Sequence, residues 1–167
     1  MIWIRAIAFV LVVQVTVVGF IPWLLASVPP HVDIGRWHYL ALAPVGVGGA
    51  VLLWCNWVFV TRGRGTAAPY EPPRVLVGHG IYRHVRNPMY VAAVLIVLGV
   101  AVWTGAVSLL GYALLLGLSY DLFVRYYEEP RLARAFGASY AEYCRAVPRW
   151  GFRLRRWRGR TAAKSRL

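Results

Sequence analysis

Residues 76–90 (LVGHGIYRHVRNPMY) are one of two short stretches whose side-chain types are suited to chemistry. The stretch combines glycines and tyrosines with two arginines and an Asn-Pro pair. Asn87 followed by Pro88 is typical of a helix start, because Asn caps helices and proline is tolerated at the first helical position. Backbone N–H groups at such a start point towards an anionic group. The pattern predicts an anion site at the beginning of a helix.

The second stretch holds two adjacent carboxylates, Glu128 and Glu129, with Arg125 shortly before them. Carboxylates next to arginines and an apolar wall can accept N–H and O–H groups from a ligand or take up a proton. The same side chains can instead form an ion-pair cluster that fastens the 76–90 loop to the last helix. The residues alone leave both interpretations open.

The elements that carry these stretches are strongly apolar. Of 167 residues, 59% are hydrophobic and 15% are charged, against roughly 25% charged in an ordinary globular domain. The 19 Lys and Arg residues outnumber the six acids and give a net charge of +13. A soluble domain of this size cannot bury so much apolar surface, and a disordered chain would not contain it. We therefore predict an all-α integral membrane protein.

Charge-free runs predict about four transmembrane helices. Residues 6–28 and 37–60 are each long enough to cross a hydrocarbon core of roughly 30 Å as a helix. Pro22 is expected to kink or end the first helix locally.

The third charge-free run, residues 89–120, is too long for one straight span. It predicts a helical hairpin that turns at residues 103–105, with the second arm continuing past Asp121 towards residue 127. A tilted or re-entrant hairpin also fits, because the first arm is short.

The distribution of arginines predicts the orientation in the membrane. The polar 61–88 loop contains five arginines, and the chain from Arg125 onward contains twelve basic residues. By the positive-inside rule, both termini and this loop face the cytoplasm. The chain then divides into two N-terminal helices (1–60), a functional region of loop, hairpin and C-terminal helical segment (61–152), and a basic tail (153–167).

The basic tail, with Trp157 among its arginines, predicts attraction to anionic lipid. Nucleic acid is not expected as a partner. Cys55 and Cys144 are far apart and the histidines are scattered, so we predict no metal site and no disulfide framework. The oligomeric state is not fixed by the sequence.

Two segments together resemble a known family. They are GIYRHVRNPMY (residues 80–90) and EEPRLARAFGASYAEYCRAVP (residues 128–148), in this order and separated by an apolar hairpin. This pattern resembles the isoprenylcysteine carboxyl methyltransferase family and its bacterial relatives, which overlap with the phospholipid methyltransferases. The resemblance covers about residues 65–150.

The resemblance implies an integral membrane enzyme that uses S-adenosylmethionine, held between the loop and the C-terminal segment on the cytoplasmic side. It implies that Arg86 and Glu128 are the indispensable residues, with Glu129 and Arg125 as further catalytic candidates. The implied cofactor-binding positions are Leu76, Val77, Tyr82, Asn87, Pro88, Met89, Tyr90 and Glu128. Where the family commonly has His after the motif arginine, this chain has Asn87, which cannot act as a base.

The chemistry of S-adenosylmethionine suggests how these residues would bind it. Arg86 or the helix start can hold the carboxylate of the cofactor. Glu128 can accept from its ammonium or ribose, and Tyr82 or Tyr90 can face the adenine or the sulfonium.

The methyl acceptor is expected to be a lipophilic, membrane-embedded molecule, such as an isoprenylcysteine-like carboxylate or another lipid. A carboxylate acceptor needs only an arginine to orient it, and Arg125 either does this or neutralises Glu129. An amine acceptor must lose a proton, which Glu129 can take.

Two other functions remain open from the sequence. Membrane reductases of the sterol-reductase type have a similar basic, aromatic C-terminal half and use NADPH. A small non-enzymatic membrane adaptor, whose basic tail binds anionic lipid or a partner, would also have this composition.

Overall fold

The computed structural model describes residues 10–61, 76 and 78–154. These residues form the α-helices α1 (Ile21–Leu25), α2 (Leu42–Thr61), α3 (Pro88–Thr104), α4 (Ser108–Phe123) and α5 (Glu129–Ala146). π-helical turns occupy Val10–Gln14, Thr16–Phe20 and Val124–Glu128, and 3-10 turns occupy Gly35–Ala41 and Gly80–Arg83. The described residues contain no β-strand beyond an isolated bridge, which confirms the all-α prediction.

The chain divides into two compact units that are each discontinuous in sequence. Among the described residues, the first unit consists of residues 54–61, 76, 78–88 and 121–154. The second unit consists of residues 10–53 and 89–120, and it contains most of the apolar helices. Two stretches carry the predicted chemistry. The stretch with Glu128 and Glu129 belongs to the first unit, and so does the 76–90 stretch as far as Pro88.

The first helical segment changes its winding close to Pro22. Residues 10–14 and 16–20 form π-helical turns, and α1 begins at Ile21, so that Pro22 lies inside a continuous helical stretch and lacks the N–H that would bond to the preceding turn. The helix continues to Leu25, so Pro22 disturbs the winding without ending the helix. The Tyr112 hydroxyl donates to the Val17 carbonyl at 2.8 Å, within the π-helical part.

In the second unit, α2 and α3 pack closely through small residues. A Cβ atom placed on Gly48 would lie 2.6 Å from Ile96 Cγ1 and 2.9 Å from the Ala92 carbonyl oxygen. One placed on Gly99 would lie 2.6 Å from Val45 Cγ2. Such close approach of two backbones is how helices gain packing contacts when lipid supplies no hydrophobic driving force between them.

The predicted hairpin is confirmed. Helix α3 ends at Thr104, Gly105 has a φ of +67°, and α4 begins at Ser108. A Cβ atom on Gly105 would lie 2.1 Å from the Val32 carbonyl oxygen, so only glycine fits this turn. The Ser108 hydroxyl donates to the Leu25 carbonyl at 2.8 Å and ties the turn to α1.

After the hairpin turn, the helical path is longer than the sequence predicted. Helix α4 passes through the π-helical turn Val124–Glu128 directly into α5, so the second arm continues beyond residue 127. Gly137, with φ +52° and ψ −127°, interrupts α5. The buried aromatic residues Phe136, Tyr140 and Tyr143 lie on either side of this break.

Two helical stretches, Gly35–Val58 and Ser108–Ala146, are long and apolar enough to cross a membrane, and two shorter apolar helices, Val12–Leu25 and Pro88–Thr104, accompany them. Only 28% and 22% of the most apolar parts of the two long stretches are buried. A core helix of a soluble protein would be mostly buried. The large exposed apolar surface fits contact with lipid instead.

We predict that Gly48→Ala lowers the melting temperature of the detergent-solubilised protein. The new methyl group would meet Ile96 and the backbone of α3, and such overpacking costs about 1–3 kcal/mol. Gly49→Ala is the matched control, since a Cβ atom on Gly49 meets nothing within 4 Å and alanine favours the helix. Equal melting temperatures of the two variants would contradict the close packing of α2 on α3.

Candidate functional site

A tight turn lies in residues 76–87 of the first unit, which we call the motif loop. Gly80 has a φ of +56°, and the 3-10 turn Gly80–Arg83 follows it. A Cβ atom on Gly80 would lie 2.1 Å from the Trp54 ring, so this position requires glycine for its backbone and for the close approach. The turn thereby places the Tyr82 ring against Trp54, with ring centroids 6.3 Å apart.

Tyr82 is the buried centre of this loop. Its side chain is 5% exposed and hydrogen-bonds Cys55, and its carbonyl oxygen accepts the Tyr143 hydroxyl at 2.7 Å. Burial holds the pKa of Tyr82 well above its usual value, and the neighbouring Cys55 and Glu128 raise it further. Tyr82 therefore stays a neutral phenol, and Glu128 lies near enough to act on it electrostatically.

An aromatic cluster from α5 packs against the beginning of the loop. Leu76, which is 3% exposed, lies in this cluster, so its side chain belongs to the protein core. The cluster consists of Leu76, Phe136, Tyr140, Tyr143 and Val147. It forms an apolar wall beside the charged residues described next.

Glu129 is shared by two arginines from different parts of the chain. Its Oε1 accepts Arg86 Nη1 and Arg149 Nε, each at 2.8 Å, and its Oε2 accepts Arg149 Nη2 at 2.6 Å. The two bonds from Arg149 form a bidentate fork, the strongest geometry for such a pair. The side chains of Arg86, Glu129 and Arg149 are only 13%, 20% and 25% exposed. The ion-pair cluster that the sequence left open as an alternative is therefore present.

A second carboxylate, Asp121, extends this cluster along the end of α4. It accepts Arg125 Nε at 2.7 Å and the Trp150 indole N–H at 2.8 Å, and Arg149 Nη1 lies 4.0 Å from it. Arg125 is half exposed and pairs with Asp121, whereas the sequence offered Glu129 as its alternative partner.

The segment that follows α5, residues 148–153, lies along the motif loop. The Pro148 carbonyl accepts the Arg86 backbone N–H at 2.9 Å, and the Arg149 carbonyl accepts Asn87 Nδ2 at 3.3 Å. Arg153 donates its backbone N–H to the His84 carbonyl at 3.0 Å, and its own carbonyl lies 2.6 Å from His84 Nδ1. We call residues 148–153 the strap, because they hold the loop at three successive points.

One buried donor in this cluster is not used. Arg86 Nε is buried, and within residues 78–154 and the other described parts of the chain it has no hydrogen-bond partner. Arg86 Nη1 contacts Glu129 and Cys144 Sγ, each at 2.8 Å. A buried guanidinium N–H without an acceptor is costly, so an anionic or polar group that reached this atom would be a favourable partner for it.

The structure brings several predicted site residues together in the first unit. Arg86, Asn87 and Glu129 are joined directly or through Arg149, and Glu128 lies near Tyr82. Pro88 is the first residue of α3, as predicted.

Three further residues were predicted to bind the cofactor. Met89 and Tyr90 belong to the second unit, where Met89 Sδ accepts Gln14 Nε2 at 3.4 Å and Tyr90 stacks on Tyr120 at 4.5 Å. Val77 lies outside the described residues.

Sequence reasoning missed Arg149, Trp150 and Trp54 as neighbours of this cluster. Arg149 follows directly on the Val-Pro pair that ends the second motif segment, which is the one signal in the sequence that could have pointed to it. Trp54 is separated from the motif by a long loop, and nothing in the spacing links the two.

The described residues combine apolar helices with a half-buried arginine–carboxylate cluster, as expected of a helical membrane protein with a polar site. The family model for phospholipid methyltransferase matches residues 38–139. This match covers more than half of the chain, so the chain belongs to the phospholipid methyltransferase family, whose members are membrane methyltransferases that act on lipids. The family-level prediction is thereby confirmed.

No curated protein and no solved structure matches the chain. The family match begins within the second apolar run and ends before Tyr140, so it includes Arg86, Glu128 and Glu129. The strap lies beyond it.

We predict that Tyr143→Phe lowers the stability of the first unit by about 1–2 kcal/mol, because it removes the buried hydrogen bond to the Tyr82 carbonyl. The melting temperature in detergent measures the loss. Tyr126→Phe serves as the control, since Tyr126 is 78% exposed. Should both variants melt alike, the hydrogen bond between α5 and the loop does not contribute to stability.

Proposed function

We propose that this protein transfers a methyl group from S-adenosylmethionine to a lipid embedded in the membrane. Family membership supports methyl transfer to a lipid, and the buried Nε of Arg86, which has no hydrogen-bond partner among the described residues, is the observation that supports a bound carboxylate group of the cofactor in the first unit. Arg86 lies in the motif that precedes α3, and its Nη1 donates to Glu129.

The residues present fit the polar groups of this cofactor. Arg86 Nε would hold its carboxylate, because a buried charged donor binds a carboxylate most strongly. Glu128 would accept from its ammonium or ribose. Trp54 and Tyr82 offer stacked aromatic rings, of which the 37% exposed Trp54 is the more accessible.

The remaining predicted positions take supporting roles in this proposal. Leu76 contributes to the apolar wall from within the core, and Asn87 holds the strap through its side-chain N–H. Val77, Met89 and Tyr90 keep the cofactor-binding role that the family resemblance implies for them.

When bound, S-adenosylmethionine supplies an electrophilic methyl group. The residues of this chain orient the reactants and exclude water, which by itself can account for a large part of the rate acceleration. Asn87 cannot remove a proton. Oε1 of Glu129 accepts two arginine N–H groups and Oε2 accepts one, so Oε2 keeps a lone pair that could take a proton from an amine acceptor, although the arginine hydrogen bonds favour the ionised carboxylate.

The membrane topology completes the proposal. Four spanning helices would place both termini, the 61–88 loop and the C-terminal helical segment in the cytoplasm, where the soluble cofactor is available. The lipophilic acceptor would then reach the site from within the bilayer.

We predict that the detergent-solubilised protein binds S-adenosylhomocysteine and that Arg86→Met weakens this binding by roughly 10–100-fold, as expected for loss of a charged hydrogen bond. Isothermal titration calorimetry measures the affinity. Arg134→Met is the control, because Arg134 is exposed and donates only to the Pro130 carbonyl of its own helix.

Two outcomes of this titration would contradict the proposal. One is binding of NADPH without binding of S-adenosylhomocysteine, which favours a reductase. The other is unchanged affinity in Arg86→Met, which moves the cofactor away from Arg86. Incubation with methyl-labelled S-adenosylmethionine and a lipid extract from the source cells identifies the acceptor by the labelled product.

We also propose that the basic tail binds anionic lipid. Phe152 and Leu154, which are 61% and 89% exposed, directly precede the arginine-rich residues 155–166. Exposed apolar side chains beside a basic cluster suit the boundary between headgroups and acyl chains.

In proteoliposomes, methyl transfer by the native chain should rise when anionic phospholipid is added, and this rise should fade at high salt. A variant with Gln at arginines 155, 156, 158 and 160 should lose the response and keep the activity measured in neutral lipid. An undiminished response of that variant would show that the tail does not attach to the lipid surface.

A further inference from the structure

Arg149 is the strap residue that binds Glu129, and nothing in the family match or the proposed function assigns it a role. It lies beyond the matched residues, and its guanidinium group contacts both Glu129 and, at 4.0 Å, Asp121. We propose that Arg149 is a positioning residue of the cofactor site: it holds Glu129 so that Arg86 keeps its Nε available for an anionic group. This inference rests on the proposed function.

The bidentate contact between Arg149 and Glu129 limits which carboxylate oxygens are left to accept N–H groups from Arg86. Arg149 occupies both oxygens of Glu129, and Arg86 shares only Oε1, through Nη1. Without Arg149, Oε2 would be free to accept a second N–H from Arg86. Arg86 would then turn towards a two-point contact with Glu129, because this is the favoured geometry of such a pair.

The backbone of the strap fixes Arg149 at this place. The carbonyl of Pro148 accepts the Arg86 N–H, and the carbonyl of Arg149 accepts Asn87 Nδ2. Residues 148 and 149 are thus paired with residues 86 and 87. This backbone pairing holds the Arg149 side chain beside the motif loop, within hydrogen-bond distance of Glu129.

Electrostatics keeps Arg149 charged in this position. The hydrogen bond to Glu129 raises the pKa of Arg149, and the charges of Glu129 and Asp121 raise it further. Trp150 and Arg125 both bond to Asp121 and hold this second carboxylate beside Arg149. Arg149 thus lies between two fixed carboxylates.

A double-mutant cycle separates positioning from a general structural role. S-adenosylhomocysteine affinity is measured by calorimetry on the full detergent-solubilised chain for the wild type, Arg149→Met, Arg86→Met and the double variant. We expect Arg149→Met to weaken binding by about 10-fold in the wild-type background. In the Arg86→Met background it should cause no further loss, because Arg149 acts through Arg86.

Two further variants complete the experiment. Arg149→Lys keeps the charge without the fork, so we expect a smaller loss of affinity that also disappears in the Arg86→Met background. This variant carries the test should Arg149→Met fail to fold, as judged by its melting temperature without ligand. Arg145→Met is the control, since Arg145 is exposed in the last turn of α5.

The outcomes are distinct. Losses that add up independently in the double variant, or native affinity in a folded Arg149→Lys variant, overturn the positioning role of Arg149. Absence of S-adenosylhomocysteine binding by the wild type overturns the proposed function itself. Binding by the wild type with a coupled loss in the variants supports both.

Discussion

The first unit depends on one carboxylate that is shared between two arginines. Glu129 begins α5, Arg86 precedes α3 and Arg149 follows α5, so three segments that are distant in sequence meet at a single side chain. Removing a partner from a largely buried ion pair leaves a charge that water cannot fully solvate, which makes such a contact sensitive to change. The loop, the helix and the strap are therefore coupled at this point, and the aromatic cluster of α5 supports the same arrangement with apolar contacts.

Much of the fold follows from the distribution of apolar residues. The charge-free run from residue 89 to residue 120 was too long for one straight span, and the structure turns at Gly105 as predicted. Pro88 opens α3, because proline is suited to a first helical position. Helix α5 buries Phe136, Tyr140 and Tyr143, and Gly137 interrupts it. These features depend on local sequence, which is why the sequence was sufficient.

The detailed partners in the site depend on winding and on long-range contacts. The family resemblance implies that Arg86 and Glu128 are the indispensable residues, and in the structure the ion pair with Arg86 is formed by the neighbouring Glu129. Neighbouring residues on a helix point about 100° apart, and the π-helical turn Val124–Glu128 changes the phase of everything after it. A resemblance names residues by their motif positions and does not show this change of phase. Arg149 was missed for a related reason, since its contacts are made after the helix has ended.

The discontinuity of the first unit has a consequence for the order of its assembly during synthesis. Hydrogen bonds join Asn87 to Arg149 and His84 to Arg153, across separations of 62 and 69 residues. The whole hairpin of α3 and α4 is translated between these partners. The motif loop therefore cannot form these hydrogen bonds until both helices have been synthesised. Long-range pairing of this kind closes late, because the entropy of a large loop must be overcome first. Translation that stops before residue 148 would produce the apolar helices without the strap, so the ion-pair cluster around Glu129 would lack Arg149.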